Sequence, residues 1–229
     1  MVNETFIPLV HNVSLLLAMV FVYELMVGWQ DTRQTWRQQA FIGVVLGVIG
    51  IAVILTAWQV EPGFHYDGRS VLFSVAGLFF GTITAGVAMT IAVAFRLLQG
   101  GGGAWTGIGV IVVTGWLGIA WRRWRPSTEG GISVRELYGF GVIVHLARLM
   151  VPLLMLPWPL ANRVLTKTTL PGLLLYPLAT LVLGVLMNNR QTRNRAAAAL
   201  LASESLMRTT LYSIGEGVIS TDDRGAFAR

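Results

Sequence analysis

The chain has 229 residues, of which 54% are hydrophobic and only 12% are charged, whereas soluble domains carry about 25% charged residues. This composition excludes a soluble globular domain and predicts an all-α membrane protein. The lack of cysteine excludes disulfides and thiol-ligated metals. The net charge of +6 resides mostly in arginines beside apolar segments, which favours anchoring in a lipid bilayer over nucleic-acid binding.

The first two apolar segments, residues 5–29 and 40–58, are each predicted to cross the membrane. The N-terminus lacks a positively charged region and a cleavage site, so we expect the first segment to be a retained span rather than a signal peptide. The link after the second span, residues 59–69, contains a proline, a glycine and several charged residues. This composition is typical of a structured turn.

The third apolar segment lies between Arg69 and Arg96, with no charged residue between them. Because about 20 helical residues cross about 30 Å of hydrocarbon, we predict one span with an arginine at each mouth. Small residues in this span are expected to let helices pack closely in lipid: Gly77, Gly81, Ala85, Gly86 and Ala88. Four glycines at positions 100–103 then end the helix and leave backbone N–H groups near Arg96, a combination that favours an anion.

Three further spans, at residues 104–121, 137–156 and 170–187, complete a six-transmembrane-helix bundle with both termini on one side. With the termini in the cytoplasm, the inner segments carry Arg69, Arg122, Arg123, Arg125, Arg135, Arg190, Arg193 and Arg195. The outer segments carry Arg33, Arg37, Arg96, Arg163 and Lys167. The bias follows the positive-inside rule, although Arg33 and Arg37 oppose it. A five-span topology would bring those two inside but would move the Arg122 cluster outside.

The chain is predicted to comprise a transmembrane sensor domain (1–188), a juxtamembrane signalling helix (189–211) and the start of a soluble domain (212–229). Residues 194–207 are rich in helix formers, and Leu200, Met207 and Ile214 recur every seven residues. This spacing favours a parallel dimeric coiled coil, and a helix lying on lipid headgroups is the alternative. Beyond it, a glycine turn, a short β-rich run and an Asp-Asp-Arg-Gly turn follow.

Two family resemblances rest on these motifs. Residues 57–81, AWQVEPGFHYDGRSVLFSVAGLFFG, with Arg96 and the glycines after it, resemble the LytS-YhcK-type multi-span receptor domain over about residues 8–188. The matching residues are Pro62, Gly63, Asp67, Arg69, Ser70, Gly77, Leu78, Phe79, Phe80, Gly81, Arg96, Gly100, Gly101 and Gly103. Thr82 and Gly102 stand where that family often has proline, which predicts looser turns there. Separately, SIGEGVISTDDRG at residues 213–225 resembles the start of a PAS domain.

The resemblance implies a signal-input domain in the cytoplasmic (inner) membrane, with its C-terminus in the cytoplasm and a homodimeric assembly. It implies a longer parent protein whose output is a histidine kinase acting on a response regulator, or a diguanylate cyclase. Family members are associated with cell-wall control and with sensing small carboxylates. The fold is also similar to six-helix substrate-binding subunits of vitamin transporters, so a transport-type module is the rival interpretation. A purely structural anchor for a cytoplasmic sensor is a third.

Ionisable residues inside spans are costly and mark candidate sites: Glu24 in the first span, and His145 and Arg148 in the fifth. His145 and Arg148 are three residues apart and share a helix face. Arg148 either pairs with Glu24 to fix helix register, contacts a ligand, or extends to the membrane surface. We find no paired carboxylates, metal motif or cofactor motif in the sequence, which predicts no catalytic residues, metal or cofactor in this chain.

Arg96 with Gly100, Gly101 and Gly103 is the preferred candidate anion site, and an interfacial anchor is its alternative. Pro62, Gly63, Asp67 and Arg69 are assigned to a structural turn on the cytoplasmic side, with Asp67 as helix N-cap or as salt-bridge partner of Arg69. In one straight helix, Arg69 and Arg96 stand about 40 Å apart and cannot hold the same small ligand. Only a break, at Gly77, Gly81 or Gly86, brings them together.

Overall fold

A computed structural model describes residues 14–22, 35–61, 64–125 and 131–217 of the chain. The elements in these ranges are α1 (residues 14–22), α2 (Trp36–Leu55), β1 (Trp58–Glu61), β2 (Phe64–Tyr66), α3 (Arg69–Phe80), α4 (Thr82–Gln99), α5 (Ala104–Trp124), α6 (Val134–Met155) and α7 (Trp158–Gly217). The chain divides into two compact units, Met1–Asn189 and Arg190–Arg229. The domain boundaries predicted from the sequence stay a prediction.

Five helices of the described residues are long and apolar enough to cross a bilayer: α2, α4, α5, α6 and α7. The all-α membrane class is therefore confirmed, with one short β-hairpin added to it. Most of the first predicted span lies outside the described residues, so the six-span count stays a prediction. Helix α3, with 12 residues, rises only about 18 Å and is shorter than a bilayer crossing.

The third predicted span is not one helix, and this expectation was wrong. Gly81 ends α3 and begins α4 with φ 92° and ψ −179°, a backbone conformation that is open almost only to glycine. The chain therefore reverses at Gly81, which is one of the three break positions considered. Hydropathy could not reveal the reversal, because every residue of α3 is buried and its apolar sequence continues into α4.

Helix α3 packs closely against α5 through small residues. A methyl group added to Gly118 would lie 2.1 Å from the carbonyl oxygen of Ser74, and one added to Gly77 would lie 2.7 Å from the carbonyl oxygen of Gly115. These distances leave no room for side chains, so the predicted role of Gly77 in close packing is confirmed. Gly86 differs, since a methyl group there would meet nothing within 4 Å among the described residues.

Hydrogen bonds between elements identify one end of the bundle formed by the unit Met1–Asn189. The hydroxyl of Thr84, near the start of α4, donates to the carbonyl of Gln39 near the start of α2 (3.1 Å). Arg122, near the end of α5, donates to the carbonyl of Phe79 near the end of α3 (2.7 Å). The side chain of Asn188 in α7 bonds to the loop just before α6. We call this the basic end, since its exposed cations are Arg37, Arg122, Arg123 and Arg135.

The opposite end, which we call the hairpin end, holds strands β1 and β2. They pair antiparallel, with Trp58 opposite Tyr66 and Gln59 opposite His65. Pro62 and Gly63, which belong to the predicted turn, lie outside the described residues. Helices α3, α5 and α7 therefore run from the hairpin end to the basic end, and α2, α4 and α6 run back.

Two sequence expectations change with this topology. Arg37 and Arg122 were predicted on opposite faces of the membrane. They lie at the same end of the bundle, because α3 runs from the hairpin end to the basic end and so adds one reversal of the chain. Helix α7 also begins at Trp158, so the predicted outer loop that carries Arg163 and Lys167 is helical. Pro159 falls in the first turn of α7, a position that tolerates proline. The β-rich run predicted after Gly217 lies outside the described residues.

Candidate functional site

A cavity of about 60 Å³ lies at the hairpin end, where β2 and the loop before α3 meet α4, α5, α6 and α7. One water molecule needs about 10–15 Å³ of cavity volume, so this cavity suits a molecule of about four to six non-hydrogen atoms. The lining residues are Phe64, His65, Tyr66, Asp67, Arg69, Arg96, Gly103, Thr106, Gly107, Val110, Arg148, Leu149, Pro152, Val164 and Thr168.

Arg69 and Asp67 form a buried ion pair in the wall of this cavity. Arg69 Nε donates to Asp67 Oδ1 (2.7 Å) and Oδ2 (2.9 Å), and its backbone N–H donates to Oδ1 (3.0 Å). The side chains are 4% and 0% exposed. The Nη1 atom of Arg69 is buried and has no hydrogen-bond partner among the described residues. The predicted contact between Asp67 and Arg69 is present, and one donor of the guanidinium remains for another acceptor.

Arg96 lies beside Arg69, although the two were predicted on opposite sides of the membrane. A methyl group added to Gly107 would lie 2.8 Å from Arg69 Nη1 and 2.9 Å from Arg96 Nε. Arg96 is 2% exposed, and its Nη1 donates to Gln99 Oε1 (2.6 Å) and to the Gly100 carbonyl (3.1 Å). The reversal at Gly81 causes this juxtaposition, and it corrects the assignment of Arg69 to a turn remote from Arg96.

Arg148 enters the cavity from α6 and rests on two tyrosines. Its guanidinium carbon lies 4.3 Å from the ring centre of Tyr66 and 4.7 Å from that of Tyr176. Such cation–π contacts stabilise a partly desolvated guanidinium without neutralising it. Arg148 has no salt bridge within the described ranges. Glu24, its predicted partner, lies outside them, so that pair stays a prediction.

The same two tyrosines fasten the hairpin to α7. Their rings stack at 5.2 Å. The hydroxyl of Tyr66 donates to the Thr168 carbonyl in α7 (3.2 Å), and the hydroxyl of Tyr176 donates to the Asp67 carbonyl (2.6 Å). Asp67 therefore contacts Arg69 through its carboxylate and α7 through its backbone.

The remaining predicted site residues lie at different distances from the cavity. Gly103 lines it. Gly100 and Gly101 form the turn behind Arg96 with φ of 65° and 89°, and the Gly100 N–H donates to the Arg96 carbonyl (3.2 Å). His145 does not line the cavity; it is buried against Tyr176, edge to face at 5.8 Å. The predicted binding roles of these residues stay predictions.

Sequence reasoning missed Gly107, Tyr66, Tyr176 and Thr168. Tyr66 directly precedes the Asp67 motif, and that adjacency was the one available signal. Gly107 is one of 26 glycines, and nothing in its sequence neighbourhood shows that two guanidiniums flank it.

The electrostatics of the cavity favour an anion. Its described lining residues include three guanidiniums, from Arg69, Arg96 and Arg148, and one carboxylate, from Asp67. Two helices also begin at the cavity wall, α3 at Arg69 and α5 just after Gly103, and helix N-termini carry partial positive charge. Anionic oxygens are the ligands that such donors bind.

The sequence model of the family described as 5TMR of 5TMR-LYT matches residues 20–190. No curated protein and no solved structure matches the chain. The family match covers more than half of the chain and contains the hairpin, the reversal at Gly81 and all three cavity arginines. The chain is therefore a member of the LytS-type multi-span receptor family, a multi-pass membrane protein of the class that serves as transmembrane input domain of LytS-type kinases.

Proposed function

We propose that this domain senses a small anion in the cavity at the hairpin end and passes the change to α7. The observation that carries the proposal is the convergence of Arg69, Arg96 and Arg148 on one cavity with a single carboxylate among its described lining residues. Clustered guanidiniums with a single carboxylate among the described lining residues are costly to desolvate, so a bound anion stabilises the arrangement. A small carboxylate fits the size of the cavity.

The proposed orientation places the basic end in the cytoplasm and the hairpin end outside. Exposed cations at the basic end are Arg37, Arg122, Arg123 and Arg135, whereas those near the hairpin end are Arg163 and Lys167. In this orientation more exposed cations lie on the cytoplasmic side, as the positive-inside rule predicts. Arg37, which a single third span placed outside against this rule, now lies on the cytoplasmic side. Helix α7 then enters the cytoplasm near Asn188, and the ligand reaches the cavity from outside.

The proposed output follows from the family. A helix from about residue 189, predicted to pair in a homodimer, would carry the change to a PAS domain and then to a histidine kinase with its response regulator. A diguanylate cyclase is the alternative output. Cell-wall control is the associated process. A kinase activity assay on a fusion of this domain to a known kinase core, with and without small carboxylates, tests this part.

Binding itself is tested by isothermal titration of the chain in lipid nanodiscs against small carboxylates. We expect saturable binding that weakens about tenfold or more in Arg96→Gln and Arg148→Gln, since each removes charge-assisted hydrogen bonds. The matched control is Arg163→Gln, an exposed arginine of α7, which should bind as the wild type does. Equal affinities in all four proteins would reject the site.

One observation favours a transport-type module as second candidate. Helix α3 is short, fully buried and begins at the cavity, and discontinuous helices of this kind form the binding sites of many transporters. Uptake of radiolabelled carboxylate into proteoliposomes separates the two functions. A sensor binds the anion without accumulating it, whereas a transporter moves it across the membrane at a rate that Arg96→Gln reduces.

A further inference from the structure

The described cavity lining carries more positive charge than one monovalent anion can balance. Arg69, Arg96 and Arg148 contribute three positive charges, and Asp67 contributes one negative charge. The stacking of Arg148 on Tyr66 and Tyr176 reduces the cost of its desolvation, but it supplies no countercharge. A ligand with two negative charges would bring this set of groups to neutrality.

Two of these guanidiniums lie beside the same residue of α5, Gly107. The position of a methyl group on Gly107 lies 2.8 Å from Arg69 Nη1 and 2.9 Å from Arg96 Nε. Arg69 Nη1 is buried and has no acceptor among the described residues, while the other side of the same guanidinium is fully engaged by Asp67. An oxyanion resting against the bare Cα of Gly107 would therefore receive charge-assisted hydrogen bonds from both arginines.

The volume of the cavity indicates a small ligand. About 60 Å³ admits roughly four to six non-hydrogen atoms, the size of sulfate, phosphate or oxalate. We infer that the cavity binds a compact divalent oxyanion that bridges Arg69 and Arg96, with Gly107 keeping the space between them open. The inference rests on the proposed function, which makes this cavity the ligand site, and it adds Arg69 and Gly107 to that site.

The test compares anions that share a shape and differ by one charge. Oxalate (2−) is paired with oxamate (1−), and sulfate (2−) with methanesulfonate (1−). Each is titrated at constant ionic strength, because screening changes with salt, into the chain in nanodiscs of neutral lipid. We expect the divalent member of at least one pair to bind about tenfold or more tightly than its monovalent partner, since it gains a charge-assisted contact.

Two variants test the residues. The double variant D67N/R69Q removes one positive and one negative charge, so the net charge of the cavity is unchanged while the Arg69 contact is lost. Gly107→Ala leaves every charge in place but puts a methyl group within 3 Å of both guanidiniums. We expect both to reduce the preference for the divalent anion to about threefold or less. Gly139→Ala is the control, since its methyl group would meet no described residue within 4 Å, and it should keep the preference.

The outcomes separate this inference from the proposed function. Equal binding of oxalate and oxamate, and of sulfate and methanesulfonate, overturns the divalent ligand but leaves an anion sensor intact. If none of these anions and no small carboxylate binds, the proposed function fails as well. A preference that persists in D67N/R69Q removes Arg69 from the site. A preference that persists in Gly107→Ala, with that variant folded like Gly139→Ala, removes the bridging geometry.

Discussion

The hydroxyl of Tyr176 is expected to hold the β-hairpin onto α7, and its removal gives the most direct test of how the cavity contacts that helix. Tyr176→Phe deletes one hydrogen bond, from the hydroxyl to the Asp67 carbonyl at 2.6 Å. The ring remains, and with it the stacking on Tyr66 at 5.2 Å and the contact with Arg148 at 4.7 Å. The change therefore isolates one bond between the hairpin and α7.

The expected magnitude follows from burial. Tyr176 and Asp67 are both buried, and a buried carbonyl that loses its donor costs about 1–3 kcal/mol. If the hairpin detaches from α7 in a local opening, this loss raises the equilibrium constant for detachment by about 5- to 150-fold. Hydrogen exchange followed by mass spectrometry reads this shift directly, as faster exchange of the amides of residues 64–68.

The matched control is Tyr138→Phe, which alters a tyrosine of α6 that is 49% exposed. It should leave the exchange of residues 64–68 unchanged, and neither variant should affect the middle of α5. Exchange in Tyr176→Phe within about threefold of the wild type would refute the reasoning, because the bond would then contribute less than a typical buried hydrogen bond.

Two further predictions concern the topology and the packing of α3. Because the chain has no cysteine, a single cysteine introduced at Arg123 or at Asn162 can be labelled with a membrane-impermeant maleimide in intact cells. We expect labelling at position 162 and none at position 123. The reverse pattern would invert the proposed orientation. Gly118→Ala places a methyl group 2.1 Å from the backbone oxygen of Ser74, so overpacking should destabilise the bundle by about 1–3 kcal/mol; an unchanged melting temperature in detergent would contradict the close contact of α3 with α5.

The membrane class and most of the helices could be predicted because composition and hydropathy determine them. Long apolar runs bounded by arginines and glycines have one stable form in lipid, the helix. The start of α7 was placed too late, since Arg163 and Lys167 mark a loop by composition although both side chains are exposed on a helix. Composition shows where the charged residues lie in the sequence. It does not show where the backbone hydrogen bonds of a helix begin or end.

The candidate site could be predicted only in part, because it depends on one backbone conformation. Arg148 was identified as a costly charge inside an apolar span, and Arg96 as a guanidinium beside four glycines; both signals are local in the sequence. Arg69 was placed elsewhere because its role depends on the reversal at Gly81, and a glycine in an apolar run is equally compatible with a straight helix. The role of Gly107 depends on the positions of the two guanidiniums that lie beside it, and these positions are set by the fold.

In the proposed mechanism, the signal reaches α7 at the hairpin end without crossing the bundle. Asp67 bonds Arg69 through its carboxylate and Tyr176 through its carbonyl, so an anion bound to the remaining donor of Arg69 acts on an ion pair already in contact with α7. A ligand shifts an equilibrium only as far as its affinities for the two states differ. By reciprocity, docking of the hairpin must change anion affinity by the same factor that the anion changes docking. If saturating anion slows the exchange of residues 64–68 tenfold, the protein with its hairpin undocked from α7 must bind the anion about tenfold more weakly than the docked form. If the anion accelerates this exchange instead, it favours the undocked form.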